Sequence, residues 1–374
     1  MFTVTAQITM NSLHATVPTK RSPLRRVLGS PLLAPFNQPQ AWDRLTTAIK
    51  PTWSWAEPRA KVVRVVDEAP GVRSLWLQPN RRFGSFRPGQ HLLLTLDIDG
   101  AQHSRCFSLS AAPRRDGLLR LTIRQQAGGP VSTAAHALQS GQVVRLSKAQ
   151  GQFAPTESEL PLLLLSAGSG VTPMMSLLHA MADAQPNRTV HVLHSGRSAE
   201  TTIFAAELRE LAAAWPALQL CLHASGGDGR LDSNRIAGHV PQWQQCETLL
   251  CGPADFMQMV QMMYAEAGRS DQLQSESFGR IAAKVDANAA HHSVTTSESK
   301  QLFTAQAGQS LLQAAETAGL NPRFGCRRGI CRTCQCSKRS GTVRNLLTGE
   351  ISGAGEELIQ LCISTPHSAV ELVL

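Results

Sequence analysis

Four cysteines near the C-terminus carry the most specific chemistry in this 374-residue chain. Four residues separate Cys326 from Cys331, two separate Cys331 from Cys334, and 27 separate Cys334 from Cys362. At this spacing one tight loop supplies three thiolates and a later segment the fourth, the pattern of plant-type [2Fe–2S] sites. Gly325 and Gly329 give the loop backbone freedom where a side chain would crowd an inorganic core. A four-thiolate zinc site and plain buried cysteines are the competing readings. Cys336 offers a fifth thiol. Alternation along a strand is expected to turn it away from the cluster.

Three further stretches combine residue types suited to anionic and aromatic ligands. In Arg105-Cys106-Phe107-Ser108, period-two alternation puts Arg105 and Phe107 on one face and Cys106 and Ser108 on the other. Gly128-Gly129-Pro130-Val131-Ser132-Thr133 then leads into a short helix expected over 134–138. A glycine turn with hydroxyls at a helix start offers unpaired N–H groups to an anion. The third stretch, Gly168-Ser-Gly170-Val-Thr172-Pro173, lies between an apolar strand at 162–166 and a helix at 174–181. Strand, glycine turn and helix in that order suit a dinucleotide pyrophosphate, with Thr172 expected as N-cap and Pro173 as the first helical residue. Arg197 follows the strand expected over 190–194, near where a doubly wound sheet places the adenosine ribose. Its forked guanidinium suits a 2′-phosphate, which favours NADPH over NADH. Cys251-Gly252-Pro253 closes a strand at 248–251 and precedes a helix at 255–264. Taken singly, each has a plainer reading as a solvated arginine, an ordinary loop or a buried thiol.

The elements needed to hold these residues follow in order along the chain. Short Val-, Leu- and Ile-rich runs at 61–67, 74–78, 91–98, 118–125 and 143–147, with turns at Arg87-Pro88-Gly89 and Asp99-Gly100, indicate a small β-barrel over 57–158. Residues 159–272 alternate strand and helix, as a doubly wound parallel sheet requires. The methionines at 257, 259, 262 and 263 read as core filling. Residues 273–296 are polar and read as a tether. Residues 297–374 read as strand, helix with Ser310 as N-cap and Gly319 as stop, cluster loop, then strands, an order that suits a β-grasp ferredoxin fold. The fold class is therefore multidomain α+β and α/β.

Composition narrows the class further. At 42% hydrophobic and 17% charged residues the chain is ordinary globular material. No apolar run approaches the roughly 18 residues of a membrane span, and no signal peptide is expected. Nine cysteines, an odd number, argue for a reducing compartment, so a cytoplasmic location is expected. The net charge of +9 is uneven: residues 1–56 form a basic extension with a weak likeness to a transit peptide. Trp42, Trp53 and Trp55 suggest that its later part packs on something. Such charge suits an anionic membrane surface or an acidic partner. No nucleic-acid-binding signature accompanies it.

Arg-x-(Tyr/Phe)-Ser followed by Gly-Gly-x-x-Ser resembles the flavin site of the ferredoxin–NADP reductase superfamily. The resemblance implies that Arg105 pairs with flavin phosphate, Phe107 lies against the isoalloxazine and Ser108 bonds near its N5. It implies that Gly129, Ser132 and Thr133 cradle a pyrophosphate, hence FAD rather than FMN. The family often has Tyr at Phe107, so a hydroxyl contact is lost while stacking survives. Gly-x-Gly-x-x-Pro over Gly168, Gly170 and Pro173 is this superfamily's form of the nucleotide turn, and Cys251-Gly252-Pro253 resembles its motif beside the nicotinamide. Glu276-Ser277-Phe278 resembles the segment passing near the flavin. Ser108 and Cys251 are the candidate catalytic residues, as orienting groups. Domain order resembles reductase components of aromatic-ring dioxygenases. The cysteine loop and the Trp-containing extension look more like reductases feeding membrane fatty-acyl desaturases. The expected partner is therefore a protein electron acceptor, desaturase or oxygenase, with contact to a membrane surface through a membrane-bound acceptor. A redox-sensing interaction protein is the rival from another class, and NADPH-driven turnover discriminates the two.

Overall fold

The computed structural model describes residues 43, 46–54, 56–278, 291–325, 327, 329 and 332–374. Six antiparallel strands come first: β1 (Arg59–Ala69), β2 (Val72–Pro79), β3 (His91–Ile98), β4 (Ala101–Ser108), β5 (Leu119–Arg124) and β6 (Val143–Leu146). Their order is β4-β3-β6-β1-β2-β5. The two ends meet through a bridge between Leu109 and Leu121 and a bond from Ser110 N to Arg120 O (2.9 Å). Closure removes both free edges. Leu75, Leu77, Leu92, Leu94, Leu121 and Ile123 fill the interior, and the helix α1 (Pro130–His136) adds Val131 and Ala135.

The next unit is a parallel sheet of β7 (Leu162–Ala167), β8 (Val190–Gly196), β9 (Leu218–Ala224), β10 (Glu247–Gly252) and β11 (Leu273–Ser277), ordered β11-β10-β7-β8-β9. Helices α2 (Val171–Ala184) and α3 (Ala205–Ala214) cover one face; α4 (Ser233–His239) and α5 (Ala254–Glu266) cover the other. The chain leaves β7 for β8 on one side and later returns to β10 on the other. The crevice at the carboxyl ends of β7 and β10 is therefore the switch point, where such sheets bind ligands. Met257 and Met263 are buried core residues, as expected, while Met262 is exposed.

Residues 273–296 depart from the expected tether. Leu273–Ser277 is the outer strand of the parallel sheet and His292–Thr296 opens the next sheet. Both are short and polar enough to escape a pattern based on apolar runs. The last unit orders β13 (Leu302–Ala305), β12 (His292–Thr296), β18 (Val370–Leu372), β14 (Gln335–Ser340) and β16 (Glu357–Gln360), beside a small pair of β15 (Val343–Asn345) and β17 (Ser364–Pro366). Helix α6 (Leu311–Thr317) buries Leu311, Leu312, Ala314 and Ala315 against it. It starts in the expected place: Ser310 and Gln313 form a reciprocal capping box.

The barrel and the parallel sheet share an interface. Val72 and Phe153 of the first unit belong to the core of the second. Ser176 Oγ donates to Ala111 O (3.1 Å) and accepts from Gly89 N (3.3 Å). Arg120 reaches across to Glu207 (2.8 Å), and His91 to Glu276 (3.0 Å). At the N-terminal side, Asn80 Nδ2 holds Thr52 O (3.2 Å) against the barrel, yet Trp53 is half exposed. Trp42 and Trp55 lie outside the described residues.

Candidate active site

The last residues of β4 stand where the barrel meets the parallel sheet. Register pairs Arg105 with Leu94, Phe107 with Leu92 and Ser108 with His91. Arg105 and Phe107 thus share the face of the core leucines, and Phe107 packs against that core while staying partly open. Ser108 lies on the opposite face and is buried, and its Oγ has no hydrogen-bond partner among the described residues. A buried hydroxyl without a partner costs about 1–3 kcal/mol, so an occupant that bonds to it is strongly favoured. That is what a flavin ring edge supplies, and the residues fit the group.

The turn before α1 is pinned by Ser132. Its hydroxyl donates to Gly129 O (3.0 Å) and accepts from Gln126 N (3.0 Å), so it shapes the loop instead of standing open to a phosphate. The Thr133 side chain, by contrast, is exposed.

On the parallel sheet, two glycine motifs converge at the switch point. A Cβ on Gly170 would sit 2.0 Å from the Cys251 carbonyl oxygen, so only glycine lets the turn after β7 touch the end of β10. Gly168, Gly170, Cys251, Gly252 and Pro253 therefore form one wall. The helix starts earlier than expected. Gly168–Gly170 is a 3₁₀ turn and Gly170 is the N-cap of α2, so Thr172 and Pro173 lie inside its first turn. The Thr172 hydroxyl donates back to Ser169 O (2.9 Å), which binds the 3₁₀ turn to the helix. Arg197 is exposed just past β8, as placed from the sequence.

Three residues that motif reading passed over, His91, Arg124 and His194, complete the site together with Glu276. Glu276 pairs in register with Cys251, and its Oε1 is 3.0 Å from Nδ1 of buried His91, the strand partner of Ser108. Burial pulls the His91 imidazole down, but hydrogen bonds with Cys106 and Glu276 outweigh it and lift its pKa to about 9. Among the described residues, Glu276 Oε2 has no hydrogen-bond partner in the interior. Ser108 and Cys251, called from separate domains, are thus linked by one buried ion pair. Arg124, at the end of β5, is part-buried; burial and the charge of Arg197 both lower its pKa. Beside it, burial and the Arg124 charge drop the His194 imidazole to about 4, against the opposing hydrogen bond with Ser166. The charges of Arg124 and Arg197, from the two neighbouring units, thus act on one another beside a neutral imidazole. The Arg and His signals lie in ordinary strands, so no local motif marks them.

In the last unit, Cys334 and Cys362 are buried in one core, and Leu361 N donates to Cys334 O (3.1 Å). Gly329 has φ +75°, and its N–H points at Cys362 Sγ (3.2 Å). That donor set suits sulfur carrying negative charge, as in a thiolate ligand. Cys326 and Cys331 lie outside the described residues. Cys336 turns aside, but not by alternation, since Cys334 precedes the strand and residues two apart on a strand share a face. Its thiol donates to Val373 O (3.3 Å), and burial pushes its pKa up to about 11.

Comparison with known proteins gives the same division. Family models match residues 70–154 (oxidoreductase FAD-binding domain), 164–262 (oxidoreductase NAD-binding domain) and 294–367 (2Fe-2S iron-sulfur cluster binding domain). An NADPH oxidoreductase of Mycobacterium tuberculosis is 35% identical over 320 residues, 84% of this chain and 83% of that protein. This chain belongs to the FAD- and NAD-binding oxidoreductases with a 2Fe-2S domain. The reductase is also 30% identical over 338 residues to the ferredoxin reductase component of a 3-ketosteroid-9-alpha-monooxygenase of Mycobacterium tuberculosis, covering 82% and 93% of the two chains. It is 29% identical to the glycine betaine monooxygenase reductase subunit of Chromohalobacter salexigens, covering 86% and 96%. Phthalate dioxygenase reductase shares its fold, with a TM-score of 0.58 at 22% identity, over 84% of this chain and 97% of that one. The reductase is an oxidoreductase with FAD, NAD(P) and [2Fe–2S] sites.

Proposed function

We propose that the reductase takes reducing equivalents from NADPH and delivers single electrons to the oxygen-activating component of an oxygenase. The observation that carries the electron path is the convergence of Ser108 and the Cys251–Gly170 wall through the His91–Glu276 pair. When bound, the nicotinamide supplies a hydride, the flavin divides the electron pair and the iron–sulfur cluster passes electrons on singly. The protein positions and tunes. Ser108 Oγ orients the flavin edge, Phe107 covers the ring and Arg105 answers the flavin phosphate. Gly129 and Thr133 leave room for the pyrophosphate, within a loop that Ser132 holds in shape. Cys251, small and polarisable, lines the nicotinamide side, while Gly168, Gly170, Thr172 and Pro173 present the start of α2 to the dinucleotide phosphates. Arg197 and Arg124 supply positive charge, which supports NADPH over NADH, as does the name of the 35% identical relative. Cys326, Cys331, Cys334 and Cys362 hold the cluster.

The acceptor reading rests on the relatives' names, which are components of monooxygenases. They favour an oxygenase over the membrane desaturase fed by the reductases that the cysteine loop resembles, and none supports contact with a membrane. Among the described residues no helix is long and apolar enough to cross one.

The test is anaerobic titration of the purified holoprotein with NADPH and with NADH, followed by addition of an oxygenase component. Bleaching of flavin and cluster at lower NADPH concentrations, then reoxidation by the oxygenase component, is the expected result. A fully loaded protein that neither nucleotide reduces would favour the sensor reading.

A further inference from the structure

We propose that the protein electron acceptor docks on the Leu347–Ile351 turn of the ferredoxin unit, through an apolar contact beside Cys362. The inference rests on the reading that electrons leave through the cluster. The obvious alternative landing patch is the set of basic residues in and beside the cluster loop, Arg327, Arg328, Arg332, Lys338 and Arg339. Lys338, one of that set, is fully buried, its ammonium donating to Gly341, Gly353 and Gly355 carbonyls at 2.6–2.9 Å. Arg327 is committed to Glu316 and lies 3.8 Å from the centre of the Phe324 ring. Arg339 lies 3.9 Å from Glu371, and Arg328 is outside the described residues. Among the described residues of that set, only Arg332 is exposed and without an ion pair.

Beside the cluster ligands one turn presents two large apolar side chains to water. Leu347 is 58% exposed and Ile351 48% exposed, at the two ends of one turn. The turn is held firmly. Leu346 N donates to Ile363 O (2.7 Å), Gly349 N to Asn345 O (2.8 Å) and Leu347 N to Asn345 Oδ1 (2.9 Å). The inner side of Leu347 meets Gly329, where a Cβ would stand 3.3 Å from Leu347 Cδ1, and Gly329 N in turn bonds Cys362 Sγ. A large apolar side chain is thus presented to water one residue from a cluster ligand, on backbone that its neighbours have already fixed. Exposed Arg344 bridges to Ile351 and exposed Glu350 lies within the turn, so the edge carries charges of both signs. The surface fits a partner with an apolar hollow and a polar rim, and the group that must approach this edge is the electron acceptor. An apolar centre with a polar rim is the usual anatomy of a protein–protein contact.

The test uses the loaded reductase with Leu347→Ser, Ile351→Ser and the double substitution, cluster absorbance confirming that each is intact. Two protein oxidants, cytochrome c and the oxygenase component of the mycobacterial 3-ketosteroid-9-alpha-monooxygenase, are compared with ferricyanide. The double variant is expected to lose at least tenfold in kcat/KM for the protein oxidants, mainly through KM. Ferricyanide reduction and stopped-flow bleaching of the cluster by NADPH stay within twofold. Unchanged kcat/KM for cytochrome c overturns the proposal. Slower bleaching of the cluster overturns it too, because the turn then serves transfer from the flavin. So does a fall in sedimentation mass on substitution, which makes the turn a contact between copies. Wild-type protein that reduces cytochrome c but not the oxygenase component sinks the oxygenase reading alone, and the cytochrome c arm still decides the role of Leu347.

Discussion

Hydride transfer between two domains requires that they hold register, and one side chain concentrates that task. Arg120, buried on β5 of the barrel, donates to both oxygens of Glu207 on α3 (2.8 and 3.0 Å) and through Nε to Ser110 O (3.0 Å). Its guanidinium sits between Trp76 and Phe204, 5.4 and 4.5 Å from the ring centres. His179 adds a third contact to Glu207 (2.6 Å). Glu207→Gln removes the charge that balances a buried guanidinium. Such a loss costs about 3–5 kcal/mol when both partners are fully buried. Glu207 is 26% exposed, so water recovers part of it and about 2–3 kcal/mol is expected. The assay is denaturant unfolding followed separately by flavin fluorescence and far-UV signal, with stopped-flow flavin reduction by NADPH. A double cycle with Arg120→Met isolates the pair. Arg120→Met with Glu207→Gln is expected to recover at least half of the loss, because no unpaired charge remains. Burial alone would raise the Glu207 carboxyl, but the bonds from His179 and Arg120 outweigh it and hold it below its ordinary value. The clamp therefore contributes fully above the unfolded carboxyl pKa and is lost as pH falls through the lower folded one. A Glu207→Gln protein within 0.5 kcal/mol (roughly the spread of neutral surface changes) of wild type, or strictly additive effects in the cycle, refutes the reasoning.

Ser108→Ala is expected to slow NADPH-driven flavin reduction by about 10²-fold, the usual scale for one orienting bond at a reacting edge, with flavin content unchanged by absorbance. For His91 the raised pKa of about 9 sets the opposite pH sense: its contribution is complete below about pH 6.5 and fades as pH rises through 9. His91→Gln should flatten that alkaline loss in thermal melts, and a melt profile identical to wild type from pH 6 to 10 (roughly the span of the titration) counts against it. Lys338→Met leaves three carbonyls unpaired in the ferredoxin unit, at a cost of about 2–4 kcal/mol. Cluster absorbance should then bleach at lower temperature while the flavin signal holds, and simultaneous loss of both would contradict it.

Fold and site were legible to different depths. Leu-rich runs at 91–98 and 162–166 mark strands because burial on one or both faces demands them, and β3 is bounded without error. Polar strands such as Leu273–Ser277 escaped, since hydrogen bonding to β10 and not hydrophobicity places them. Glycine motifs were readable because close backbone approach admits no other residue, as the Gly170–Cys251 contact demonstrates. Thr172 misled as a cap because a preceding 3₁₀ turn shifts the helix start, which side-chain preference alone does not encode.

The linear order of residues was enough to specify the redox class, since cysteine spacing and glycine turns are local demands of a cluster and of phosphates. Only the folded chain decided which charges act. It buried Lys338, tied Arg327 to Glu316, and brought His91 and Glu276 together from positions 185 apart. The physical reason is that a charge's effect depends on its desolvation and neighbours, and both are set by long-range packing that no short window contains.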